Sequence, residues 1–246
     1  MFKKIVPLSS QTHVDIKLKT TIGFGFASSL HLAAVSLPEF PKVTMAMPVF
    51  FVKQGETVKF SPLALMGTTP GENLFVNADG TWQSGVYTPI AFRRYPFVLL
   101  RSDNTDELVV CIDGSPDLLD PENGEALFTA DGAETEFLTK AKEFLFQAAQ
   151  WEMLTEKFCA KIVELDLLVP GSLEIRLGEG VQRFPGAFII DENRLNSLPE
   201  NVWADLRAQG FVGAIYAHLF SLGHIDSVVA RKVARLSAQS TQNTAA

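Results

Sequence analysis

The sequence predicts an α+β fold, with a sheet-rich N-terminal lobe packed against a C-terminal long helix, a short hairpin and terminal helices. Three observations carry that prediction. Residues 1 to about 133 are punctuated by Pro, Gly and Asp-Gly and hold short runs rich in β-branched and aromatic residues. From Glu134 the apolar residues fall into helical spacing. The chain of 246 residues is 47% hydrophobic and 20% charged, enough to bury one substantial core.

In chain order, strands are expected at MPVFFVK (47–53), VKFSPLALM (58–66), ENLFV (72–76), PFVLL (96–100) and ELVVCI (107–112). Asn77-Ala78-Asp79-Gly80, between LFV and Thr81-Trp82, is expected to form a tight turn, because Asp-Gly tolerates positive φ. Asp131-Gly132 marks a second turn where the composition changes. Phe137, Ala141, Phe144, Ala148, Trp151, Thr155, Phe158, Ile162 and Leu165 then recur alternately four and three apart, one apolar stripe on a long helix ending before Pro170-Gly171. SLEIRL and GAFIID return to strand, with Gly178 and Gly180 between them suggesting a hairpin. Asp191 is placed to N-cap a short helix in DENRLNSL, and Pro199 and Gly210 bracket a helix in PENVWADLRAQG. FVGAIYAHLFSLG, nearly apolar all round, reads as a buried helix, and HIDSVVARKVARL as an amphipathic one. The expected organisation is one domain over 1–236, with lobes meeting near 133, and a loose tail over 237–246.

Composition narrows the function classes. A net charge of -7 argues against a partner with a phosphate backbone, so no nucleic acid is expected. Nineteen Phe against three Trp and three Tyr favour dry packing. Cys111 and Cys159 read as small buried hydrophobes in a reducing compartment rather than a disulfide framework or a nucleophile. The lysines near the N-terminus are followed by no apolar run of signal-peptide type, which points to the cytoplasm. The smoothest apolar stretch, TIGFGFASSLHLAAVSLP, is too interrupted to span a bilayer, so no membrane insertion is expected.

Motif chemistry is sparse. Gly23-Phe24-Gly25 lacks the third glycine of a dinucleotide loop, and GTTPGEN (67–73) lacks the Lys-Ser/Thr ending of a P-loop. His13, His31, His218 and His224 form no HExxH, there is no CxxC pair, and the acidic run Asp113–Glu125 lacks the glycine of a calcium loop and reads as a solvated turn. No metal and no cofactor are expected. His218 reads either as a hydrogen-bonded core residue or as a ligand or base.

The adjacent arginines of FRRYPF (92–97) are the conspicuous feature. If residues 91–95 are extended, Arg93 and Arg94 point to opposite sides, one into the protein. An inward guanidinium needs acceptors, for which Glu72, Asp79, Asp113 and Glu125 are candidates; alternatively it recognises an anion beside Tyr95 and Trp82.

The chain resembles the SapC family. The resemblance is carried by LPEFPKVTMAMPVFFVK (37–53), ALMGTTPGENLFVNADGTWQSGVYTPIAFRRYPFVLL (64–100), CIDGSPDLLDPENGEALF (111–128), AFIIDENRLNSLP and IYAHLFSLGHI. It departs at Thr68-Thr69, where the family pattern has Leu-Arg; if that arginine serves an anion elsewhere in the family, this chain differs. The resemblance implies no defined reaction. It implies an accessory role near surface-layer or nutrient-uptake systems, beside flavin-dependent halogenase-like proteins.

Three functional readings follow. The first is an accessory binding protein that holds a small molecule or a protein partner with Asn73, Trp82, Arg93, Arg94, Tyr95, Tyr216 and His218. The second is an enzyme on a small molecule or side chain, with His218 as acid or base. The third is a homo-oligomer assembled through the long helix's apolar stripe.

Overall fold

The computed structural model describes residues 1–55, 57–101, 107–171, 174–177 and 180–244. The first half holds β1 (Ile5–Pro7), α1 (Ser10–His13), β2 (Lys17–Leu18), β3 (Leu32–Ala34), α2 (Phe40–Val43), β4 (Val49–Lys53) and β5 (Phe60–Leu65). It continues with α3 (Ile90–Arg93), β6 (Phe97–Arg101), β7 (Leu108–Asp113) and β8 (Glu125–Ala126). The second half holds α4 (Glu136–Glu164), β9 (Leu168–Pro170), β10 (Glu174–Leu177), β11 (Gly180–Arg183) and β12 (Ala187–Ile190). Helices α5 (Glu192–Asn196), α6 (Glu200–Ala208), α7 (Phe211–Ser221) and α8 (Ile225–Thr244) complete the α+β fold that the sequence predicts.

The main sheet runs β3-β5-β4-β12-β9, with every neighbouring pair antiparallel. Its central strand β4 buries Phe51 in the main core and Phe50 in a smaller cluster with Leu65 and Ala187, as alternation across a doubly covered strand requires. A second sheet, β1-β7-β6, covers a second core. Helix α4 crosses both, with Leu138 and Leu145 in the second core and Phe158 and Ile162 in the first. Phe158 is fully buried against Phe40, Phe51 and Phe211, and truncating such a residue to Ala costs about 3–5 kcal/mol.

The ends of α4 follow from local chemistry. Thr135 caps the start, its hydroxyl accepting from Leu138 N–H at 3.3 Å. At the other end Asp166 adopts φ 51°, and the N–H groups of Asp166 and Leu167 donate to the carbonyls of Val163 and Ile162. This is the paired closure that a left-handed residue permits after a helix. Every residue of the predicted stripe is buried or half-buried within the chain, so the stripe packs largely against the chain's own two cores.

Several expectations are corrected. ENLFV is not a strand: Asn73 Oδ1 accepts from Phe75 N–H at 2.9 Å, which folds the segment into a turn that makes only the bridge Val76↔Trp82. The turn at 77–80 does form, with Gly80 at φ 80°. EIRL pairs with 180–183 rather than with GAFIID, and β12 is instead inserted between β4 and β9; Gly178 lies outside the described residues. Asp113 is buried, not solvated. Helix α8 continues through Thr244, where a loose tail was expected from 237; residues 245 and 246 lie outside the described residues. The run Phe211–Ala238 is long and apolar enough, by length and composition, to cross a membrane. It nevertheless consists of two helices joined by a 3-10 turn at Leu222–His224, with Phe211, Ile215 and Val228 buried in the protein.

Candidate functional site

The GTTPGEN loop is closed from within and clamped from outside. A Cβ on Gly67 would stand 2.4 Å from the Glu72 carbonyl oxygen, so no larger residue fits this backbone. Glu72 Oε1 accepts from Thr68 N–H at 2.8 Å and from the Thr68 hydroxyl at 2.6 Å, while Oε2 pairs with Lys232 at 2.6 Å. Against its burial, hydrogen bonds from Lys232 and Thr68 hold the Glu72 carboxyl low. One turn further along α8, Arg235 donates to the carbonyls of Asn73 and Val76 at 2.9 and 2.8 Å, and Arg231 lies 4.5 Å from the Phe75 ring centroid. Asn73 is fully buried and donates to Ala27 C=O at 3.1 Å. These contacts bind protein to protein.

His218 is likewise committed. Ile190 N–H donates to Nε2 at 3.1 Å, so the proton sits on Nδ1, which donates to Val49 C=O at 2.9 Å. The β4–β12 register pairs Val52 with Ala187 and Phe51 with Phe188, which would bring Val49 opposite Ile190. The imidazole is wedged where that ladder opens and replaces its next hydrogen bonds. Ser221, one turn on, accepts from Val49 N–H at 3.0 Å. Burial pushes the imidazole pKa down to about 4, so the ring is neutral at pH 7.

Trp82 donates its indole N–H to Val86 C=O at 3.1 Å and packs against Phe24, Phe75 and Phe92. Tyr216 is half-buried on α7 beside Phe220 and lines neither of the clefts that the two arginines line. The late helix and the PGEN-to-RRYPF region therefore do not converge on one pocket through these side chains.

The arginines behave differently. Residues 90–93 form a helical turn, not a strand, because two prolines bracket it and a distant carboxylate caps it. Glu39, fully buried, accepts from Ile90 N–H at 2.6 Å and from Ser36 N–H at 2.9 Å, capping two turns with one side chain. Burial pushes the Glu39 carboxyl up, opposed by these bonds, by Tyr87 and by the charge of Arg93. In helical geometry Arg93 and Arg94 are separated by about 100° rather than 180°. Both line one cleft of about 330 Å³ with Lys19, Tyr95, Lys140 and Phe144.

The charges around this cleft are unbalanced. Among the described residues lining it, none is acidic. Arg93 donates to the Tyr87 hydroxyl at 2.6 Å and stacks between the Tyr87 and Phe144 rings, 5.1 and 5.2 Å from their centroids. The Tyr87 hydroxyl donates onward to Glu39 at 3.1 Å. Neither arginine has a carboxylate of the described residues within ion-pair distance. Glu72, Asp79, Asp113 and Glu125 do not supply one: Glu72 serves Lys232, Asp79 serves Thr81, and Asp113 accepts from Tyr95 and from Lys3 and Lys4 N–H. Arg94 is half-buried, and its Nε has no hydrogen-bond partner. Burial pushes its pKa down, opposed only by the charge of Glu152 across an adjoining cleft of about 120 Å³. Lys19 donates to Asp117 C=O at 2.6 Å, and Lys140 forms an exposed pair with Glu136.

A family model, SapC, matches residues 8–228. The chain belongs to the SapC family. No curated protein and no solved structure matches it. For this SapC protein, the motif residues thus divide. Asn73, Trp82 and His218 brace the fold, Tyr216 stands apart, and Arg93, Arg94 and Tyr95 open onto a cleft. Sequence reasoning missed Lys19, Lys140 and Phe144 as cleft residues. Lys140 had a signal, since it shares a helix face with Phe137, Ala141 and Phe144 of the apolar stripe; Lys19 had none. Among the described residues no cluster of His, Cys, Asp and Glu could hold a metal ion.

Proposed function

We propose that this SapC protein is a binding protein whose ligand is an anion with an apolar or aromatic body, held in the Lys19–Arg93–Arg94–Lys140 cleft. One observation carries the reading: four cations and no described acid line a single cleft in a chain of net charge -7. A half-buried guanidinium with no described carboxylate in ion-pair distance is costly to the fold, and an incoming carboxylate or phosphate offsets that cost with charge-assisted hydrogen bonds. Phe137, Phe144 and Ile22 supply the apolar wall. The commitment of both His218 nitrogens to backbone favours binding over the alternative in which His218 is an acid or base. An accessory role beside a surface or nutrient-uptake system is what the family resemblance adds, and two free, buried cysteines suit a reducing compartment.

Calorimetric titration of the full chain with phenyl phosphate and benzoate tests the reading. The expected result is salt-sensitive binding that weakens about tenfold on Arg94→Ala and again on Arg93→Ala, as loss of one charge-assisted hydrogen bond predicts. Absence of binding by both probes, or binding indifferent to both substitutions, overturns it.

A further inference from the structure

The outward face of α4 carries an apolar patch that the core does not use. Phe146, Met153 and Leu154 are 47%, 61% and 38% exposed. With Glu143, Gln150 and Lys157, all exposed, they occupy one face of the helix, within about 60° of Gln150 at 100° per residue. Beside Met153, a groove of about 600 Å³ runs between α4 and the β4–β5 connection, lined by Val58, Phe60, Ala160 and Val163. Val58 there is 75% exposed.

We propose that this face pairs with the same face of a second copy, antiparallel, about a two-fold axis beside Gln150. The spacing of the residues selects that occupant. In an antiparallel pair, residues equidistant from the axis on opposite sides meet. Glu143 and Lys157 each lie seven residues from Gln150, so two Glu143–Lys157 pairs form, one at each end. Phe146 lies four before Gln150 and meets the partner's Met153, three after it and on the same side of the seam. It also lies on the side of the seam where the partner's groove opens, so the same chain carries both the apolar knob and its hole. Gln150 meets its own copy, amide to amide.

The contact is modest. The stretch 143–157 spans about 21 Å of helix, and one helix face of that length buries well under the roughly 800 Å² per partner of a standard stable interface. Self-association in the range of about 10–100 µM is expected on that ground.

Sedimentation equilibrium of the full chain from about 1 to 300 µM tests the pairing. The wild type is expected to dimerise, and Phe146→Glu to abolish dimerisation. Glu143→Lys and Lys157→Glu each set like charges against each other at both ends and are expected to weaken the dimer about tenfold. The double variant Glu143→Lys/Lys157→Glu restores opposite charges and is expected to return the dimer to within about threefold of wild type. All these positions are exposed, so circular dichroism should show the fold intact in each variant. A wild type monomeric throughout, a dimer indifferent to the single charge reversals, or a double variant no better than the singles overturns the proposal.

Discussion

The seat of His218 and the cleft of Arg93 and Arg94 both hold polar residues singled out by the sequence, yet they are built on opposite terms. At His218 every polar atom in reach is answered: both ring nitrogens, Val49 C=O and N–H, and Ile190 N–H. At the arginine cleft a buried Nε has no partner, and neither arginine has a described carboxylate within ion-pair distance. Burial alone does not separate structural from functional polar residues; closure of the hydrogen-bond account does. A satisfied buried group stabilises the fold, and an unsatisfied one is available to something else.

The largest effect expected from that contrast is on stability at the histidine. His218→Ala leaves Val49 C=O and Ile190 N–H unpaired next to a cavity and should cost about 3–5 kcal/mol in urea unfolding. A loss below about 1 kcal/mol would break the comparison on its structural side.

The next effect is on pH. The folded pKa of His218, about 4, lies below its ordinary 6.5, so the unfolded chain takes up the proton first as pH falls. Its contribution is fully present above about pH 6.5 and is lost as pH falls towards 4, by about 3 kcal/mol in all. Unfolding free energies measured across that window should show this slope in the wild type and lose it in His218→Ala; an unchanged slope in the variant assigns it to other groups.

The smallest effect sharpens the other side. Arg94→Met keeps the aliphatic bulk and removes a half-buried unpaired cation, so stability should change by no more than about 1 kcal/mol, in the stabilising direction. Thermal unfolding with and without phenyl phosphate checks this: the variant should match or exceed the wild type alone and lose the wild type's ligand-induced shift. Destabilisation beyond about 2 kcal/mol would make Arg94 a brace like His218.

Much of this was legible locally. The long helix declared itself through its period, the turn at 77–80 through Asp-Gly, and α5 through Asp191, whose carboxylate accepts from Asn193 and Arg194 N–H. What failed locally was decided at long range. The run around Arg93 looks like a strand because aromatic and β-branched residues dominate it, and the group that turns it into a helix, Glu39, lies 51 positions away. His218 showed its identity but not its partners, which are backbone atoms 28 and 169 positions distant. The cleft was half visible: two of its cations stand side by side in the sequence, and the other two come from β2's end and from α4.

The clamp of α8 on the GTTPGEN loop also sets an order of events during synthesis. Lys232 and Arg235 reach back about 160 positions to Glu72 and Asn73, so the loop emerges from the ribosome long before its cations exist. At about 5–20 residues per second, that is a delay of roughly 8–32 s in which Glu72 lacks its counter-charge and the aromatic cluster behind the loop lacks its cover. A nascent chain stalled before residue 231 is the species in which a chaperone would find this surface open.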